Sequence, residues 1–143
     1  MGKYLLLLFS ITFSQAQWIQ VNIPNNQNMV KIIPDGNVLY GATSAASILF
    51  SLDNGLNWES LPLHPDIFPY GVDLFEKVDD YLFFSQNIGG STYNYRTYYN
   101  GEYWGDWEIL PYDESIIYEF VHHENNIYAL LNQGLSVSYD YGT

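Results

Sequence analysis

The chain has no cysteine, so neither a disulfide nor a thiolate nucleophile enters its chemistry. Positive charge is almost as scarce. Four Lys and Arg stand against sixteen Asp and Glu, giving a net charge of −12, and Arg96 is the only arginine. A chain this acidic repels nucleic-acid phosphates and anionic lipid surfaces, which removes both as expected partners. Also lacking are a sustained helical period, a phosphate-cradling glycine loop and a serine in a Gly-x-Ser-x-Gly setting. No His-Cys spacing and no Asp-x-Asp-x-Asp-Gly loop is found, so no metal and no cofactor is expected.

What is present is aromatic and β-leaning. Fourteen Tyr, eight Phe and four Trp make 18% of the chain, while only 14% is charged, a globular and not a disordered composition. Residues 1–16 read as a secretory signal peptide: Lys3 gives the basic start, Tyr4 to Phe13 the apolar stretch, and Ser14-Gln15-Ala16 the small residues before a cut at Gln17. The apolar stretch is shorter than the ~20 residues a spanning helix needs. The expected location is therefore secreted or cell-surface, with no membrane insertion once the signal is removed.

Three segments then share one order of signals. Met29 to Ile33 leads through a turn at Pro34-Asp35-Gly36-Asn37 to Val38-Leu39-Tyr40. Gly71 to Phe75 leads through Lys77 to Asp80 to Tyr81-Leu82-Phe83. Ile116 to Val121 leads through Glu124-Asn125-Asn126 to Ile127-Tyr128-Ala129. Leu39, Leu82 and Ile127 are spaced by steps of 43 and 45 residues, the interval of a four-stranded propeller blade. The fold class expected is all-β: β-propeller blades of four antiparallel strands, about three blades of a larger ring, covering 29–63, 70–111 and 116–143. In the first blade the strands are placed at 29–33, 38–43, 47–52 and 57–61. Residues 17–23, with Trp18, have no strands before them and are read as the strand that closes the ring.

The most informative stretch is Ser51-Leu52-Asp53-Asn54-Gly55-Leu56-Asn57-Trp58, in which Ser51, Asp53, Gly55 and Trp58 fit Ser-x-Asp-x-Gly-x-x-Trp. It begins again at Ser138, Asp140 and Gly142, where the chain stops short of the Trp. Asn54-Gly55 is a strong hairpin signal, and Asp53 is a carboxylate suited to accepting backbone amides of the turn. Trp58 is expected to fill the space between neighbouring hairpins. The second repeat has a worn copy with two registrations: Asn100 to Trp104 matches Asn54 to Trp58, and Trp107-Glu108-Ile109-Leu110-Pro111 echoes Trp58-Glu59-Ser60-Leu61-Pro62. A three-residue insertion reconciles them, with Thr97 standing for Ser51 and Tyr99 for Asp53.

The Ser51 to Trp58 stretch resembles the Asp-box of bacterial neuraminidase repeats, found in sialidases, sortilin-type receptors, xyloglucan-degrading enzymes and photosystem assembly propellers. The resemblance implies a propeller with the box on the blade rim and leaves the activity open, because fold alone does not license a chemistry. Sialidases hold the substrate carboxylate with three arginines, and Arg96 alone does not supply them.

Candidate chemistry is sparse. Asp73 and Glu119 lie near equivalent places on the first strands of consecutive blades, where two carboxylates can serve glycoside hydrolysis as acid and base; the alternative is two ordinary surface acids. Tyr98, Tyr99, Tyr103 and Trp104 make an aromatic hairpin fit to stack on sugar rings, or else to stabilise itself by cross-strand pairs. His122 and His123 are neighbours on a strand and face opposite ways, and His64 stands alone. The leading expectation is a non-catalytic binding module for carbohydrate or extracellular protein, with a glycoside hydrolase as the alternative.

Overall fold

The computed structural model describes residues 20–64, 67, 69–110, 115–124 and 126–141. The expected signal peptide, Gln17 to Ile19 of the segment expected to close the ring, and Gly142 lie outside the described residues. Eleven strands are described: β1 (Met29–Asp35), β2 (Val38–Thr43), β3 (Ile48–Ser51), β4 (Glu59–Ser60), β5 (Leu74–Val78), β6 (Tyr81–Ile88), β7 (Ser91–Tyr98), β8 (Glu108–Ile109), β9 (Ile117–His123), β10 (Asn126–Leu131) and β11 (Gly134–Ser138). They form three separate antiparallel sheets in simple up-and-down order, β1-β2-β3-β4, β5-β6-β7-β8 and β9-β10-β11. The chain is all-β, in sheets of the size and order of propeller blades.

The repeat register holds in space. Leu39 pairs with Ser51, Leu82 with Thr97 and Ile127 with Ser138, so the three second strands meet their third strands at equivalent residues. The turns after the first strands match as well. Gly36, Asp79 and Glu124 each adopt a left-handed backbone, at φ of 57°, 49° and 56°. Such a conformation reverses the chain in step with the strand twist.

Alternation along the second strands then builds the core. Leu82 and Phe84 face the first sheet, where they meet Tyr40, Ala42, Ile48 and Leu61 together with Phe75, Tyr95 and Trp107. Phe83, between them, faces the third sheet and packs with Val78, Leu110 and Ile127, its ring 4.4 Å from that of Phe120. β6 is thus buried on both faces. The first strands of successive sheets lie closest together, β1 against β5 and β5 against β9. Two ion pairs tie the first of these seams, Lys31 Nζ to Glu76 Oε1 (3.2 Å) and Lys77 Nζ to Asp35 Oδ2 (3.0 Å).

Several boundaries differ from the sequence reading. β1 continues to Asp35 because Asp35 pairs directly with Val38, leaving a two-residue turn. β5 starts at Leu74, not Gly71, since Gly71 has φ of +52° and interrupts the extended run. β4 is only two residues long; Leu61 N–H donates to the Ile48 carbonyl (2.8 Å) and carries the pairing one residue further. Residues 20–23 pair with no strand and lead into a 3-10 turn at Pro24–Asn26. Trp58 lies over its own sheet, its ring close to Gly41 and Gly55. A Cβ at Gly41 would sit 3.0 Å from the indole and 2.6 Å from Met29 Sδ, so a larger residue there would require the Met29 side chain to move.

Candidate functional site

The Ser51 corner is built entirely from local bonds. Ser51 closes β3, and its Oγ accepts from the Gly55 N–H (2.9 Å) while donating to Asp53 Oδ1 (2.8 Å). Asp53 Oδ1 accepts the Asn57 N–H (2.8 Å) and Oδ2 the Asn57 side-chain amide (2.6 Å). Trp58 Nε1–H donates back to the Gly55 carbonyl (3.0 Å). Asn54 and Gly55 supply the left-handed pair, at φ of 59° and 86°. The third sheet repeats the geometry: Ser138 Oγ donates to Asp140 Oδ1 (2.8 Å) and accepts the Asp140 N–H (3.3 Å), and Tyr141 takes φ of 58° where Asn54 does.

The Asn57 backbone N–H, and after it the Asn57 amide and the Ser51 hydroxyl, hold the Asp53 carboxyl below the usual carboxylate range. A depressed folded value means the corner's contribution is complete above the ordinary Asp value of about 3.9, and is lost as pH falls through the lower folded value. Acid titration followed by the Asn57 amide resonance is expected to show that step, and Asp53→Asn to abolish it. An unchanged profile in the variant would mean the carboxylate does not organise the turn.

The second sheet departs from this plan, and there the candidate site forms. Glu59 pairs with Phe50 and Glu108 with Arg96, so Trp107, not Trp104, is the counterpart of Trp58. The hairpin between Thr97 and Trp107 is three residues longer than that between Ser51 and Trp58. Asn100 takes over the missing aspartate's task, its Oδ1 accepting the N–H groups of Glu102 (3.0 Å) and Tyr103 (2.9 Å). Trp104 is thereby an additional indole. It bridges to Tyr99, with ring centroids 5.2 Å apart, and meets the Tyr40 ring edge-on at 5.5 Å. Burial pushes the Tyr40 phenol up, helped by the charge of Asp35, and a hydrogen bond with Trp104 acts against that.

The four hairpin aromatics do not form one surface. Tyr99, Tyr103 and Trp104 line a cleft of about 400 Å³ on the side of the first sheet, with Tyr40, Leu52 and Pro62 opposite and Glu102 at hand. Tyr98 points the other way, into a second cavity of about 450 Å³ with Tyr81, Arg96, Asn100, Asp106 and Glu108. Cross-strand pairing and an open aromatic surface are both present, since Tyr103 is 62% exposed while Trp104 is half-buried.

Asp73 and Glu119 are not brought to one position. Glu119 sits opposite Leu130, whose counterpart Ser85 pairs with Leu74, so Asp73 lies one residue out of step. Adjacent strand positions face opposite ways. Asp73 only extends the ladder, its N–H donating to the Ser85 carbonyl (3.0 Å). Both side chains are exposed. His122 Nε2 lies 3.1 Å from Asp79 Oδ2, an oxygen that also accepts the Tyr141 hydroxyl (2.9 Å) and raises the Tyr141 phenol's pKa. His123 is exposed, and the His64 ring stands 5.8 Å from that of Tyr95. Among the described residues, no group of three or more acidic or histidine side chains is placed to hold a metal ion.

No protein-family model and no curated protein matches the chain.

Sequence reasoning missed the part played by Asn100 and the second cavity. An Asn-Gly pair two residues after a β-strand was a legible sign of the first; nothing local announced the second.

Proposed function

We propose that this chain supplies Asp-box blades of a β-propeller and acts as a secreted, non-catalytic module that binds carbohydrate. Trp104 is the observation that carries the reading. A three-residue insertion adds an indole that the sheet does not need for its own closure, since Trp107 already fills the position of Trp58. The insertion sets that indole beside Tyr99 and Tyr103 in an open cleft. Flat rings beside a carboxylate and phenolic hydroxyls match the two surfaces of a pyranose, an apolar C–H face and an equatorial belt of hydroxyls. Secretion rests on the leader-like residues 1–16, and the strong negative charge keeps the surface clear of nucleic acid and anionic membrane.

Screening of the secreted chain against immobilised oligosaccharides is expected to reveal binding. Trp104→Ala is expected to weaken it at least tenfold, about 1.4 kcal/mol, with the circular-dichroism spectrum unchanged. A wild-type chain that ignores every glycan on a broad panel, or a Trp104→Ala variant that binds as well as wild type, would remove the proposal.

A further inference from the structure

The cavity behind Tyr98 has a different chemistry from the Trp104 cleft. One wall is aromatic, with the Tyr81 and Tyr98 rings 4.9 Å apart. Deep in it lies Arg96, whose side chain is 10% exposed and whose guanidinium stands 5.6 Å from the Tyr81 ring centroid. That cation is already engaged. Nε and Nη2 both donate to Glu108 Oε2, at 3.0 and 2.8 Å, and Nη1 donates to the Tyr141 carbonyl. A guanidinium binds a carboxylate best through two parallel N–H groups, and here Nε and Nη2 are both turned to Glu108 Oε2.

What the cavity offers instead is acceptors. Glu108 Oε1 and the Asp106 carboxylate make no hydrogen bond or ion pair among the described residues. One arginine against two carboxylates leaves the cavity negative, on a chain whose net charge is already −12. Both carboxylates are exposed, the Glu108 side chain by 64%, so an anionic ligand meets a repulsion that is strongest at low ionic strength. A hydroxyl-rich neutral ligand meets acceptors for its O–H groups and rings for its C–H face. The volume of about 450 Å³ falls within the ~300–1,000 Å³ of small-molecule sites.

We propose that the Tyr81–Tyr98 cavity is a second sugar subsite, on the opposite face of the same hairpin, which accepts neutral sugar residues and rejects sialic and uronic acids. It rests on the reading of the chain as a glycan-binding module and states which glycans that module takes. A lysine ammonium would also suit two carboxylates and two rings. The size of the cavity, with two rings on one wall, favours the saccharide.

The test is titration calorimetry of the secreted chain at low ionic strength. The probes are neutral cello-, manno- and xylo-oligosaccharides, oligogalacturonate, sialyllactose and a short oligolysine. At least one neutral oligosaccharide is expected to bind, with both acidic probes at least tenfold weaker. Tyr98→Ala is expected to cut the neutral affinity at least fivefold. Tyr98 is exposed, so its removal leaves the sheets intact. Asp106→Asn, which changes charge and not shape, is expected to narrow the gap between neutral and acidic probes. Acidic probes binding as tightly as neutral ones would overturn the proposal. So would oligolysine binding in their place. If Trp104→Ala abolishes neutral binding while Tyr98→Ala and Asp106→Asn leave it untouched, the subsite is lost and the glycan-binding reading survives. If no saccharide binds, both are lost.

Discussion

Trp107→Ala is expected to destabilise the chain by about 3–5 kcal/mol, a large part of the stability of a protein this size. Trp107 is 6% exposed in the core between the first two sheets, with its ring edge towards Phe84 at 6.3 Å. Its Nε1–H donates to the Pro62 carbonyl (2.8 Å), joining the fourth strand of one sheet to the exit from the other. Truncation removes the volume and the seam together, and a rigid strand pair does not collapse into the void. Trp107→Phe keeps most of the volume and loses the hydrogen bond, so its cost is expected to be nearer 1 kcal/mol. Urea unfolding followed by circular dichroism distinguishes the two. Equal and small shifts for both variants would mean that the sheets are not held by this residue.

The second large effect is on association. The face of the third sheet turned away from the second carries Val121, Leu130, Leu135 and Val137, with Tyr139 just beyond β11, and all five are exposed. The matching faces of the other two sheets, at Tyr40 and Phe83, are covered by a neighbouring sheet. An apolar sheet face beside an open edge strand drives self-association. The isolated chain is expected to sediment as mixed, concentration-dependent species and to bind a hydrophobic dye. Leu135→Lys combined with Val137→Lys is expected to return it to a monomer at little cost in stability, because neither side chain is buried. A wild-type chain that sediments as one sharp monomer and leaves the dye dark would show that this face is not adhesive.

Local chemistry was legible in the sequence, and long-range pairing was not. The 43- and 45-residue steps, the left-handed turns and the Ser51, Asp53 and Trp58 corner could be read because each depends on a few consecutive residues. The choice between Trp104 and Trp107 could not, because it is decided by Glu108 pairing with Arg96 across the hairpin. The shift between Asp73 and Glu119 is set by pairing at the turns: Val78 pairs with Tyr81 and His123 with Asn126, so counting back puts Leu74, not Asp73, level with Glu119. Arg96 stood out as the only arginine, yet its neutralisation by Glu108 emerged only when the strands were laid side by side. The fourth strand of the first sheet, placed at 57–61 and found at Glu59–Ser60, was overdrawn for the same reason, since strand length depends on the partner's reach.

The extra loop in the second hairpin separates two kinds of heritable change. Ladder register on either side of it is the same as in the first sheet, Leu39 to Ser51 and Leu82 to Thr97 before it, Phe50 to Glu59 and Arg96 to Glu108 after it, although the second hairpin is three residues longer. This fingertip can therefore be lengthened or trimmed while the palm beneath it stays as it was.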